Sequence, residues 1–207
     1  MENLNTMNIN EMIKLAQSSS NIDLLNILSV DKNEQIRSAV VSNPNVSMEI
    51  VENILHYEQS DLVKLTILKE FDCSYSMLET LSKDDNPEIR AKVGSLVNVP
   101  FEILEELSFD EDDSVKIELA KNLQCPDEIL EDLTLNNSNI EILKAVASNV
   151  FCPDEILERL SKKIELQDTV ISNEYCPEYI ITNLKINDIK NKNISYFQKQ
   201  LLISSIV

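Results

Sequence analysis

Apolar residues return along this chain in two interleaved stripes with a period of about 26 residues. The first stripe runs Ile36, Val63, Ile89, Val115, Ile142 and Leu166. Its partner, four residues later, runs Val40, Ile67, Val93, Leu119, Val146 and Val170. A spacing of i, i+4 is one face of a helix. The second stripe reads Ile103, Leu104 and Leu107, then Ile129, Leu130 and Leu133, then Ile156, Leu157 and Leu160. Positions i, i+1 and i+4 again share a helical face. The residue closing each copy falls at Leu28, Ile54, Leu81, Leu107, Leu133, Leu160 and Leu184, in steps of 24 to 27 residues. Each copy therefore predicts a helix, a short turn and a second short helix. No stretch alternates with period two, so no strand is expected.

Punctuation supports the same division. Pro100, Pro126, Pro153 and Pro177 are placed as first residues of the second helices, where a missing N–H costs nothing. Asp127, Glu128, Asp154 and Glu155 follow, where the helix dipole favours negative charge. Asn86-Pro87 reads as an N-cap and first helical residue. One such unit cannot bury its apolar face alone, but stacked neighbours can. The expected fold is all-α: a right-handed superhelical α-solenoid of about six 24–27-residue repeats with capping helices at both ends. A single domain over 1–207 is expected. Residues 1–28 would hold a cap near Ile9–Ala16 and a degenerate copy (Ile22, Leu24, Leu25, Leu28). Repeats would fill 29–184, and a second cap 185–207, with Ile194, Phe197, Leu201 and Leu202 at helical spacing.

The run Arg37-Ser38-Ala39-Val40-Val41-Ser42-Asn43-Pro44-Asn45-Val46-Ser47-Met48-Glu49-Ile50 resembles the variant leucine-rich repeat. So do Asn86-Pro87-Glu88-Ile89-Arg90 and the Pro-Asp-Glu-Ile-Leu-Glu segments, and the resemblance spans roughly residues 22–184. It implies a superhelix similar to HEAT and armadillo solenoids, alternating an α-helix with a short or 3-10 helix, and a binding scaffold without an assigned reaction. The copies here are longer than the family's usual unit, which leaves the second helix open between α and 3-10. Some members of that family hold an iron–sulfur centre on an N-terminal cysteine cluster. No cysteine precedes Cys73 here, so no such cofactor is expected.

Composition narrows the function. The one glycine, Gly94, aligns with Val41, Ala120 and Ala147 as a packing position, so a phosphate-cradling loop or dinucleotide fingerprint is excluded. A net charge of −18 disfavours direct binding to phosphate backbones, although residues 185–207 carry four lysines against Asp188. There is no membrane-spanning apolar run, and the first residues lack a signal peptide's basic start. A cytoplasmic monomer is expected.

Candidate chemistry mostly dissolves into repeat columns. Cys73, Cys125, Cys152 and Cys176 share a column with Val46 and Val99, which marks a small apolar packing site. Copies stacked roughly 8–10 Å apart exceed the ~7 Å reach of a disulfide and cannot close on one zinc. No metal or cofactor is expected. His56 is placed in a solvated loop after Ile54, without triad partners. Arg37, Lys64, Arg90 and Lys116 form a basic column, read as an ion-pair ladder with Glu34, Glu88 or Asp113 in preference to a ligand ladder. Asn43, Asn122, Asn149 and Asn173 are read as left-handed helix ends that satisfy carbonyls. The acids from Asp110 to Asp113 lack the glycine and spacing of a calcium loop.

What remains is surface. Met48, Tyr75 and Phe101 put apolar side chains in a column that is acidic in later copies. Phe151 and Tyr175 do so in a column otherwise polar. Large apolar residues in surface columns are binding anchors when local packing does not absorb them. Glu102, Glu105, Asp127, Glu128, Glu131, Asp154 and Glu155 lie beside them as an acidic ridge. The expected function is a non-enzymatic scaffold for a protein partner with a basic surface. The alternative is a stoichiometric inhibitor that occludes a basic nuclease or toxin. An enzyme is disfavoured by the lone histidine and the charge.

Overall fold

The computed structural model describes residues 4–191 and 196–206, and every described element is helical. The chain divides into two compact units, Met1–Val93 and Gly94–Val207. The first holds a 3-10 turn at Leu4–Thr6, α1 (Ile9–Ser18), α2 (Ile22–Leu28), α3 (Glu34–Val41), α4 (Met48–Tyr57), α5 (Asp61–Glu70), α6 (Tyr75–Leu81) and nearly all of α7 (Pro87–Gly94). The second holds α8 (Phe101–Ser108), α9 (Asp113–Lys121), α10 (Asp127–Leu135), α11 (Ile140–Ser148) and α12 (Asp154–Ser161). A 3-10 turn at Ile164–Leu166 then leads into α13 (Gln167–Ser172), α14 (Glu178–Asn191) and α15 (Tyr196–Ser204). The predicted pairing of a first and a second helix per copy is thus observed.

Packing follows the stripes. In the first unit α3 lies between α1 and α5; in the second, α11 lies between α9 and α13, with α10 against α8 and α11. All twelve residues of the first helical stripe and its i+4 partner are at most 1% exposed. Burying a side chain of this kind is worth about 1.5–3 kcal/mol, so the repeat period is also the period of the core. The second stripe is buried as well. The second helices α4, α6, α8, α10 and α12 are α-helices of 7 to 10 residues. The 3-10 geometry appears instead within the first helix of the last copy.

Pro100, Pro126 and Pro153 occupy the N-cap, one residue earlier than expected, with ψ of 143° to 149°. Extended ψ belongs to a cap, whose carbonyl takes the first helical bonds from Ile103, Leu130 and Ile156. Pro87 does open α7, where the Asn86 side chain accepts from the Glu88 amide at 2.9 Å. α1 begins with a reciprocal Asn8–Glu11 capping box. At the other end α14 continues past Leu184 to Asn191, and α15 packs against it. Ile194 lies outside the described residues, as do the side chains of Phe197 and Leu201; Leu202 is exposed.

The asparagine column corrects a prediction. Asn122, Asn149 and Asn173 have φ near −65° to −69° and extended ψ, so they are not left-handed. Their buried side chains staple copies together. Asn149 Nδ2 donates to the carbonyls of Ala120 (2.9 Å) and Asn122 (3.0 Å), while its Oδ1 accepts from the Phe151 amide at 2.9 Å. Asn173 does the same to Ala147 and Asn149, Asn122 to Gly94 and Leu96, and Asn43 to Ala16 and Ser19. An extended backbone lets one amide serve both its own turn and the copy before it. Leu96 replaces the asparagine in one turn, and Asn98, two residues on, has φ 59°. The Asn98 amide then takes its acceptor from Gln124 of the following copy, at 2.7 Å.

Candidate protein-binding surface

Acids at the junctions between copies are engaged by the fold. Asp31, Glu58, Asp84 and Asp110 each accept the amide two residues on, closing the turn that precedes a first helix. Asn33 and Asp112 then cap two of those helices, and Asn139 caps α11. Glu34, Asp61 and Asp113 accept from Ser60, Asn86 and Asn139 of the next copy. The basic column is paired, as expected, though not always with the expected acids. Arg37 makes a two-pronged bond to Glu58 (2.7 and 2.8 Å) and a third to the Asp31 carbonyl. Lys64 meets Asp84 at 2.7 Å, Arg90 the carbonyls of Asp84 and Asp85, and Lys116 the expected Asp113 at 2.7 Å. Burial pushes the Glu58 carboxyl up, but the Arg37 guanidinium and the Ser60 and Gln59 amides outweigh it and hold its pKa below the ordinary value. Asp113 is likewise lowered, by Lys116 and Asn139.

The second helices present acids of another kind. Glu102, Glu105, Asp127, Glu128, Glu131, Asp154 and Glu155 are all exposed in the second unit. Among the described residues, Glu131 has Arg159 at 3.1 Å, while Glu102, Glu105, Asp127, Glu128, Asp154 and Glu155 have no cation at ion-pair distance. Phe101 opens α8 on this unit and is 43% exposed. Phe151 and Tyr175 stand on the turns before α12 and α14, more exposed still. In the first unit Met48 opens α4 and Tyr75 opens α6, at 39% and 52% exposure. All five of these apolar side chains are exposed.

Sequence reasoning missed several neighbours. Val97 and Leu123, one residue upstream of the column that holds Phe151 and Tyr175, are exposed on the turns of the second unit. Their signal was an apolar residue in a turn. Tyr179 is exposed in the first turn of α14, and burial together with the charges of Glu158, Asp154 and Glu155 raises its pKa. That proximity across copies is invisible along the chain.

The reactive candidates sit in quiet surroundings. Cys125 and Cys152 are buried, and desolvation pushes both thiols up to about 12. Cys73 is raised to about 11 for the same reason, and all four cysteines are free. Among the described residues no three His, Cys, Asp or Glu are grouped to hold a metal ion. His56 lies in the last turn of α4 and not in a loop, because the helix runs on to Tyr57; its ring stacks edge-on to Tyr57, with centroids 4.4 Å apart. A hollow of about 340 Å³ in the first unit is lined by Asp31, Arg37, Asn53, Tyr57 and Glu58, where Arg37 is already held by protein acceptors.

A solved structure described as "a leucine-rich repeat variant with a novel repetitive protein structural motif" superposes on this chain with a TM-score of 0.60. The match covers 89% of this chain and 81% of that one, at 16% identity. The fold is that of the leucine-rich repeat variant. No family sequence profile matches the chain, and no curated protein does either. The likeness extends the sequence resemblance to the architecture of an α-solenoid. Among the described residues no helix is long and apolar enough to cross a membrane.

Proposed function

We propose that this protein is a non-enzymatic scaffold that binds a protein partner through a basic surface. The observation that carries the reading is the contrast among its acids: junction carboxylates are engaged by the fold, whereas those on α8, α10 and α12 are exposed and largely without cations. Carboxylates lined along successive helices steer basic partners and reject acidic ones, and exposed aromatics beside them supply anchors. Direct nucleic-acid binding is disfavoured by the net charge of −18. Buried free thiols fit a reducing compartment, and the reading takes the protein as a cytoplasmic monomer.

The test is affinity purification from the native host with the wild-type chain and with a Glu128→Lys, Glu131→Lys, Asp154→Lys, Glu155→Lys variant of unchanged helicity. A partner of basic surface should be retained by the first and lost by the second. Retention of every partner by the variant would overturn the reading.

A further inference from the structure

Phe151 and Tyr175 stand at the same position of two successive turns, each two residues after a stapling asparagine. The two turns close alike. The asparagine Oδ1 accepts from the Phe151 or Tyr175 amide at 2.9 Å, and its carbonyl accepts from Cys152 or Cys176 at 3.0 Å. The turns are also bonded directly to each other, since Asn173 Nδ2 donates to the Asn149 carbonyl at 2.9 Å. Two aromatic side chains thus rest on a buried polar support and are left 61% and 66% exposed. Asn45 and Gln124 fill the same position in other copies, so the fold does not itself require an aromatic there. Tyr179, exposed in the first turn of α14, adds a third ring. α14 packs against α12, and the charges of Glu158, Asp154 and Glu155 on α12 are felt at the Tyr179 hydroxyl. These three acids, with Glu174 and Glu178, are all exposed. Among the described residues, Glu158 has Lys162 at 3.6 Å and the other four have no cation at ion-pair distance.

We propose that this face of the second unit recognises an arginine-bearing segment of a protein partner, with guanidinium groups stacked on Phe151 and Tyr175 and bonded to the neighbouring carboxylates. The inference rests on the protein-binding reading above and deepens it by naming the side chain that is read. Carboxylates attract any cation, so the acids alone do not choose between lysine and arginine. Rings beside them do. A guanidinium is planar and weakly hydrated; it can lie on an aromatic face and still donate a paired bond to a carboxylate. An ammonium is a strongly hydrated point charge and gains less from the rings. A second copy of this chain is a poor occupant. Its net charge is −18, and its three arginines are Arg37, Arg90 and Arg159. Each is held within its own fold: Arg37 by Glu58, Arg90 by the carbonyls of Asp84 and Asp85, Arg159 by Glu131 and Thr134.

The experiment uses the full chain and two fluorescent peptides of about 12 residues, one built of Arg-Gly-Ser triplets and the other of Lys-Gly-Ser triplets. At about 0.15 M salt, where distant charges are screened, the arginine peptide should bind roughly ten-fold tighter. A Phe151→Ser, Tyr175→Ser variant, substituted only at exposed positions, should bring arginine binding down to the lysine level. A Phe151→Tyr, Tyr175→Phe variant keeps both rings and should keep the preference, as should Tyr57→Ser in the first unit. Equal binding of the two peptides by the wild-type chain overturns the proposal. So does a preference that survives loss of both rings, or one that Tyr57→Ser removes. If both peptides bind equally and charge reversal at Asp154 and Glu155 abolishes binding, the acidic surface still recognises basic chains and only this inference falls. Failure of both to bind also overturns it, while the affinity purification judges the broader reading on its own.

Discussion

Glu58 ends α4 with its side chain buried under two bonds from Arg37 and two from backbone amides, whereas Glu128 stands in solvent in the first turn of α10. Both are ordinary carboxylates of a repeating unit. One sits where the chain must reverse between copies and several donors need an acceptor. The other sits on an outer helical face where nothing in the fold needs it beyond a favourable dipole, worth about 0.3–1 kcal/mol. The net charge of this protein is thus two populations, one structural and one offered to solvent.

The largest effect should come from breaking the staple between copies. Asn149→Leu leaves the Ala120 carbonyl and the Phe151 amide without their partner in a buried turn, and takes from the Asn122 carbonyl one of its two donors, the Cys125 amide remaining. Orphaned groups of this kind cost about 1–3 kcal/mol each, so urea unfolding should show a loss of about 3 kcal/mol or more. Next is the junction ion pair. The folded pKa of Glu58 lies below its ordinary value, so its contribution is present above about pH 4.3, the unfolded value, and is lost as pH falls through the folded one. Stability measured between pH 7 and 3 should fall in that window, and an Arg37→Met, Glu58→Leu double variant should flatten that part of the profile. The smallest effect has the opposite sign. A Cβ on Gly94 would stand 3.6 Å from Leu107 and Leu119, ordinary contact distance, so Gly94→Ala should stabilise by about 0.5–1 kcal/mol in the same assay.

Much of this was legible along the chain because a solenoid core is local and periodic. Ile36, Val40 and their equivalents could be aligned by count alone, and burial followed. The exposure of Phe151 and Tyr175 was legible for the same reason: a turn column that is polar in other copies has no core to receive them. What escaped depended on the neighbouring copy. The asparagines looked like left-handed caps because chain order does not reveal carbonyls 24 to 29 residues away that hold them extended. Arg37 was matched to Glu34 on its own helix, while the geometry delivers Glu58 from the following junction. Val97 and Leu123 were missed because exposure of a short apolar residue beside a buried cysteine or valine is a matter of turn geometry.

Equilibrium urea unfolding of Glu58→Gln beside Glu128→Gln tests the division of the acids most directly, since both changes remove one charge and keep the shape. The account predicts a loss of about 2 kcal/mol or more at position 58, where Arg37 is left facing an uncharged amide, and a change of about 0.5 kcal/mol or less at position 128. Equal costs at the two positions would contradict it, because the second-helix acids would then belong to the fold and not to a partner.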